Sequence, residues 1–170
     1  MSMNQLEKRI QQANLKYRKN KVAVINKVEV PILLTNQGLI PKQSTVDFTG
    51  IYKRSMKEHN KYSSIDYDEI VVGQGIAFDA KETLSKTSFP LNNIKQHQLI
   101  FLEYFEDCGG TAFFLIHFKK LHVDHAFVTP LAFVKKYWYD ESSRRSLPYA
   151  EFDQKWLTEI DNYLKYFNDI

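Results

Sequence analysis

The stretch from Gly75 to Thr83 admits few folds. Gly75-Ile76-Ala77-Phe78 is apolar and Asp79-Ala80-Lys81-Glu82-Thr83 is charged, as in a short buried strand whose far end meets a polar region. Alternate residues of a strand share a face, so Asp79 and Lys81 point one way and Phe78 and Ala80 the other. A carboxylate and an ammonium then stand side by side above an apolar floor. Metal-dependent phosphodiester hydrolysis uses such a pairing, the acid to hold a cation and the lysine to orient water and offset charge on the phosphate. An ordinary solvated strand face would look the same, and the tripeptide alone does not separate the two readings.

A length of 170 residues suits one compact domain with a sizeable core. With 44% hydrophobic and 25% charged residues, wholesale disorder is excluded. A formal net charge of +3 permits a polyanionic partner without demanding one. Cys108 is the single cysteine, which excludes an intramolecular disulfide and a thiolate zinc cluster and predicts a reducing compartment. With no secretory signal pattern and no run of ~18 apolar residues, the expectation is a soluble, cytoplasmic protein without a membrane partner.

Leu6, Ile10, Ala13 and Tyr17 recur at helical spacing behind a Ser2/Gln5 capping box, predicting a first helix to about Arg18. Glu7, Gln11 and Asn14 form a polar stripe beside it, read as a solvated flank, although Glu7 could face a site packed on the helix. Val22-Ala23-Val24-Ile25 reads as a buried strand. Residues 28–45, with Pro31, Pro41 and Asn36-Gln37-Gly38, read as a protruding hairpin or loop rather than core. Residues 45–52 alternate, which sets Asp47 inside a strand. Residues 53–60, with Lys53, Arg54, Lys57 and His59, read as a basic solvated loop or helix that could track a nucleic-acid backbone. Asp66, Asp68 and Glu69 read as a charged hairpin edge rather than metal ligands.

Asn92 or Asn93 caps a predicted helix to about Glu106, ended by Cys108-Gly109-Gly110. Gln98 interrupts its apolar stripe, lying four residues from both Ile94 and Leu102, and reads either as a marginal residue or as one with polar partners in a site. Residues 111–118 and 122–128 read as neighbouring strands. His117, His122 and His125 on them lack a helical His-x-x-x-His partner and read as exposed or satisfied histidines rather than zinc ligands. Pro130 opens a further helix, Arg144 and Arg145 lie in a basic loop, and residues 152–167 read as a final helix.

An acid on one strand followed by Asp-x-Lys on the next is the layout of restriction-endonuclease-like nucleases. The match becomes specific in Ser44-Thr45-Val46-Asp47-Phe48-Thr49-Gly50-Ile51-Tyr52, Phe78-Asp79-Ala80-Lys81-Glu82-Thr83, and above all Lys86-Thr87-Ser88-Phe89-Pro90-Leu91-Asn92-Asn93 followed by His97-Gln98. Over nearly its whole length the chain resembles RecU-type Holliday-junction resolvases.

The resemblance implies an α/β restriction-endonuclease-like fold, with a central mixed sheet flanked by helices. It implies one nuclease domain over residues 1–170, with residues 28–45 as a stalk and residues 53–74 as an insertion. It further implies a homodimer cutting opposed strands of four-way DNA junctions. Asp47 and Asp79 would hold Mg2+ or Mn2+, Lys81 would stand beside the attacking water, and Gln98 would complete the active site with Glu7 as an auxiliary. Lys42, Lys53, Arg54, Lys57, Arg144 and Arg145 are the expected DNA contacts. The chain departs from the family's pattern at Asp79, where glutamate is usual, at Val46, where a threonine is usual, and in the separation of Asp47 and Asp79 by 32 positions, longer than is usual. The rival expectations are a junction-binding protein with impaired turnover and a nuclease for other branched DNA.

Overall fold

The computed structural model describes residues 5–29, 32–35, 38–41, 44–57, 69–121, 124–140 and 145–168. Among these, a six-stranded sheet runs in the order β1-β4-β5-β7-β8-β10. Its strands are β1 (Ala23–Lys27), β4 (Phe48–Lys57), β5 (Glu69–Thr83), β7 (Thr111–Phe118), β8 (His125–Pro130) and β10 (Leu157–Glu159). β5 and β7 run parallel and the other neighbours antiparallel, so the sheet is mixed. The parallel pair requires a crossover, and the segment that makes it carries β6 (Ser88–Pro90) and α2 (Gln96–Asp107).

Helices cover both faces, as the α/β expectation requires. α1 (Gln5–Lys19) buries Leu6, Ile10, Ala13 and Tyr17 against Ile25, Phe48, Phe78 and Phe113. On the opposite face α2 and α3 (Leu131–Trp138) pack Leu99, Leu102, Leu131 and Val134 against Ala77, Phe114 and Ile116. The period-two alternation of β5 is obeyed: Phe78 and Ala80 join the α1 side, and Asp79 and Lys81 share the face of Ala77. Stacked rings of Phe48, Phe78 and Phe113, with centroids 5.0 and 4.8 Å apart, form the apolar floor beneath the charged end of the strand.

Within residues 28–45, β2 (Ile32–Thr35) and β3 (Gly38–Pro41) form a two-stranded sheet of their own, as the turn signals predict. Gly38 takes a positive φ of 107°, which a side chain would resist. The Lys86 to Asn93 string is also accounted for. β6 pairs with β9 (Ser146–Pro148), Phe89 is fully buried, and a 3-10 turn at Leu91–Asn93 delivers the chain to α2. The helix therefore starts at Gln96 rather than after Asn92 or Asn93.

Three other expectations are corrected. Residues 53–57 are not a loop or helix but the continuation of β4, paired with residues 69–73 of β5, so part of the supposed insertion is a long hairpin arm. Residues 152–167 are not one helix. They break into 3-10 turns, β10 pairs with β8, and only α4 (Lys165–Asn168) is helical. The apolar residues that suggested a helix, Ile160, Tyr163 and Leu164, are buried nonetheless. Asn14 is not on a solvated flank: it is 5% exposed and accepts a hydrogen bond from the Tyr163 hydroxyl at 2.5 Å. No described helix is long and apolar enough to cross a membrane.

Candidate active site

Antiparallel register brings the two acids together. β4 begins with Phe48 opposite Phe78, so Asp47, at a bend one residue before the strand, meets β5 at Asp79. The expectation of Asp47 inside the strand is off by this one residue, and the displacement matters. Freed from the ladder, the Asp47 carboxylate takes the place of a backbone acceptor and receives the Ala80 N–H on Oδ2 at 3.0 Å. Its approach is fixed on both sides. Val28 N–H donates to the Asp47 carbonyl at 2.8 Å, Ser44 Oγ donates to Val46 O at 2.5 Å, and His97 Nε2 lies 3.1 Å from the Ser44 carbonyl.

Asp79 is fully buried. Its Oδ2 accepts from Gln98 Nε2 at 2.6 Å, and its Oδ1 forms an ion pair with the Lys81 ammonium and has no hydrogen-bond partner among the described residues. Gln98 is the third residue of α2, where a glutamine oxygen can reach back to the helix's first free N–H. It does so: Gln98 Oε1 accepts from Lys95 N–H at 3.1 Å. With the oxygen so engaged, the amide nitrogen must face Asp79. The marginal reading of Gln98 is thereby set aside, since the residue is 8% exposed and both ends of its amide are used. Adjacent residues of one helix turn thus support the two acids, His97 the approach to Asp47 and Gln98 the carboxylate of Asp79.

The electrostatics follow from burial. Asp79 is raised from 3.8 to about 7, first by burial and next by the negative charge of Asp47, against the pull of Lys81. Asp47 is also raised, chiefly by burial, with the Ala80 N–H and Lys81 opposing. The carboxylates interact directly, so each favours the protonated form of the other, and titration belongs to the pair.

Glu7, in the first turn of α1, and Lys27, at the end of β1, form an ion pair, and both charges act on Asp47. Lys27 was not singled out from the sequence. The available signal was parity: Ala23, Ile25 and Lys27 share one face of β1, and that face is buried under α1 at its first two positions. A lysine in the third position of an inward face requires a partner. The cluster therefore comprises Glu7, Lys27, Asp47, Asp79, Lys81 and Gln98, drawn from α1, β1, the entry to β4, β5 and α2.

The expected DNA contacts are not gathered here. Lys53 and Arg54 are exposed on β4, opposite Gly73 and Val72, and Lys53 is roughly 17 Å along the strand from Phe48 at 3.4 Å per residue. Lys57 ends β4 and Arg145 is exposed, its carbonyl accepting from Leu91 N–H. Lys42 and Arg144 lie outside the described residues, as do His122, Asp66 and Asp68. Among the described residues no group of three or more His, Cys, Asp or Glu gathers as a ligand set. The two interacting carboxylates, one with a buried oxygen held only by an ion pair, do fit a hard cation that keeps part of its water shell, as Mg2+ does.

Comparison with known proteins agrees with this architecture. The family model of Recombination protein U, RecU, matches residues 3–170. A protein named Holliday junction resolvase RecU from Staphylococcus epidermidis is 36% identical over 148 residues, covering 86% of this chain and 67% of its own. The protein of that name from Ligilactobacillus salivarius is 31% identical over 150 residues, covering 88% and 66%, and that from Staphylococcus aureus 34% over 148 residues. The chain spans about two thirds of the length of these curated relatives. With the family match running through every element that supplies the carboxylate cluster, the chain belongs to the RecU family.

Proposed function

We propose that this protein is a magnesium-dependent, structure-selective endonuclease that resolves four-way DNA junctions by paired phosphodiester cleavage in recombination and repair. The observation that carries the reading is the convergence of Asp47, Asp79 and Lys81 at one end of the sheet, with Gln98 fixing Asp79 and the Ala80 N–H fixing Asp47. Relatives named Holliday junction resolvase supply the substrate class.

In this reading Asp47 and Asp79 hold Mg2+, for which Mn2+ can substitute. The cation supplies charge at the phosphate and acidity to water. The chain's own residues do the rest. On holding the cation, Asp79 would release to solvent the proton that burial and Asp47 keep on it. Lys81, released from that carboxylate, presents its ammonium to water and to the negative charge developing on the phosphate. Gln98 prevents Asp79 from rotating away, and the Glu7–Lys27 pair sets the charge beside Asp47.

Residues 1–170 then form a nuclease domain in which residues 28–45 are a stalk entering the junction and residues 53–74 an inserted arm. Lys42, Lys53, Arg54, Lys57, Arg144 and Arg145 contact DNA away from the cut. Two copies place two sites on opposed strands, in the cytoplasm where the substrate arises. The test is cleavage of a synthetic four-way junction with Mg2+ by the wild type and by Asp47→Ala and Lys81→Ala. The expected result is paired cuts by the wild type and none by the variants, with junction affinity retained. Cleavage that survives both substitutions refutes the site. Tight junction binding by the wild type with no cutting in Mg2+ or Mn2+ refutes the nuclease reading and leaves a junction-binding protein.

A further inference from the structure

Beside the carboxylate cluster, α1 and β1 flank an open cavity of about 220 Å3 that the reading above leaves unused. Gln11, Asn14, Arg18, Asn26 and Lys27 supply its polar lining, and no acidic side chain is among the lining residues. Lys27 belongs to both places, ion-paired to Glu7 in the cluster and lining the cavity, so the two adjoin.

Asn14 is the unusual member. Its Oδ1 is tied to the Tyr163 hydroxyl on the core side, and Tyr163 is itself fully buried. The amide is therefore locked with its oxygen toward the core. Its nitrogen, Nδ2, is buried and has no hydrogen-bond partner among the described residues. A buried donor without an acceptor is a cost that folding normally avoids, and it is relieved when an acceptor enters. Arg18, whose guanidinium donates to Asn26 Oδ1, adds a fixed cation at the exposed side of the same cavity.

The chemistry of the occupant follows. Asn14 Nδ2 can only donate, Arg18 can only donate, and no acid lines the space, so the group recognised is an anion rich in acceptors. A base edge or sugar hydroxyl would find acceptors only in the amide oxygens of Gln11 and Asn26, the latter already taken by Arg18, and would leave the cationic charge unanswered. A phosphodiester meets every requirement, and a DNA strand already placed at the cluster brings one.

We propose that this cavity receives a phosphate of the cut strand neighbouring the scissile one, with Asn14 and Arg18 as substrate-positioning residues that set the register of the strand on the carboxylate cluster. This rests on the nuclease reading.

The experiment uses four-way junctions carrying a single methylphosphonate, moved through the two positions on either side of the cut. These are cleaved with Mg2+ by the wild type, Asn14→Asp and Arg18→Gln. Asn14→Asp keeps the acceptor for Tyr163 and replaces the unpartnered donor. At one position the neutral linkage slows the wild type about tenfold, the worth of one hydrogen bond to a charged group. At that position the same linkage costs either variant less than about twofold more, because the contact is already gone. Penalties that multiply independently in the variants at every position overturn the proposal.

Thermal unfolding shows whether Asn14→Asp retains the fold; where it does not, Arg18→Gln, changed at the exposed side of the cavity, carries the comparison. Should the wild type cut no junction, the nuclease reading fails by itself. The cavity is then judged from junction affinity in EDTA with the same substituted junctions: coupling between linkage and variant keeps the phosphate site, and independence removes it.

Discussion

Replacing Asp79 by asparagine should stabilise the metal-free protein while abolishing cleavage. Asp79 is fully buried and raised to about 7, whereas in the unfolded chain it titrates near 3.8. Between these values the folded state keeps a proton that the unfolded state has lost. Unfolding then releases a proton, so the stability that Asp79 allows is fully present below pH 3.8 and falls as pH rises toward 7. At about 1.4 kcal/mol for each tenfold change, the loss amounts to about 4 kcal/mol above pH 7, an upper figure for a pair that shares its proton. Asparagine cannot ionise, still accepts from Gln98 Nε2 through its oxygen, and offers its NH2 to Asp47. Lys81, whose side chain is 16% exposed, loses its partner but can turn toward solvent.

The assay is urea unfolding of wild type and Asp79→Asn in EDTA at pH 4, 6 and 8, since the difference between the proteins isolates this one group from the other carboxylates. The variant should match the wild type near pH 4 and exceed it by about 2–4 kcal/mol at pH 8. Mg2+ should raise the unfolding midpoint of the wild type and leave that of the variant unchanged. A variant no more stable than the wild type at pH 8, or one whose advantage is the same at pH 4, would show that Asp79 is not held neutral by burial and Asp47. The sign is the informative part. Most substitutions of a fully buried polar group destabilise, and a gain marks a residue kept for chemistry at the expense of the fold.

Lys27→Met leaves the Glu7 carboxylate uncompensated beside Asp47, and kcat for junction cleavage should fall about tenfold or more, with junction affinity in EDTA nearly unchanged. Gln98→Leu removes both the Asp79 contact and the acceptor for Lys95 N–H; cleavage should drop about 10–100-fold, as when an outer partner of a metal ligand is removed, and urea unfolding should show a loss of about 1–2 kcal/mol. Gly50→Ala would set a Cβ 2.1 Å from the Val24 carbonyl oxygen across the β1–β4 ladder, so the strands must separate, and thermal unfolding should register a loss of about 1–3 kcal/mol or failure to fold.

The legible parts of this chain are those whose signals are local. Alternation in residues 75–83 gives the face of Asp79 and Lys81, the spacing of Leu6, Ile10, Ala13 and Tyr17 gives α1, and Asn36-Gln37-Gly38 gives the hairpin of β2 and β3. Resemblance adds the acid pair and Gln98, and the geometry explains why spacing alone left Gln98 undecided. Its position in the helix stripe is marginal, and its role comes from standing third in α2, which could not be counted while the start of the helix was placed several residues early.

The C-terminal segment departs from its local signal for the opposite reason. Ile160, Tyr163, Leu164 and Phe167 have helical spacing, and three of the four are buried as a helix would bury them. Yet Leu157, Thr158 and Glu159 are claimed by the open edge of β8, and once these residues extend to pair with it the helix cannot run through them. Only the neighbour's unpaired backbone, supplied by a strand some 30 residues earlier, decides the matter. The same tertiary logic hid Asn14. Nothing in the polar stripe of α1 announces that Tyr163 will reach across to its side-chain oxygen, and it is that one distant hydroxyl that fixes the amide and leaves its nitrogen unpartnered among the described residues.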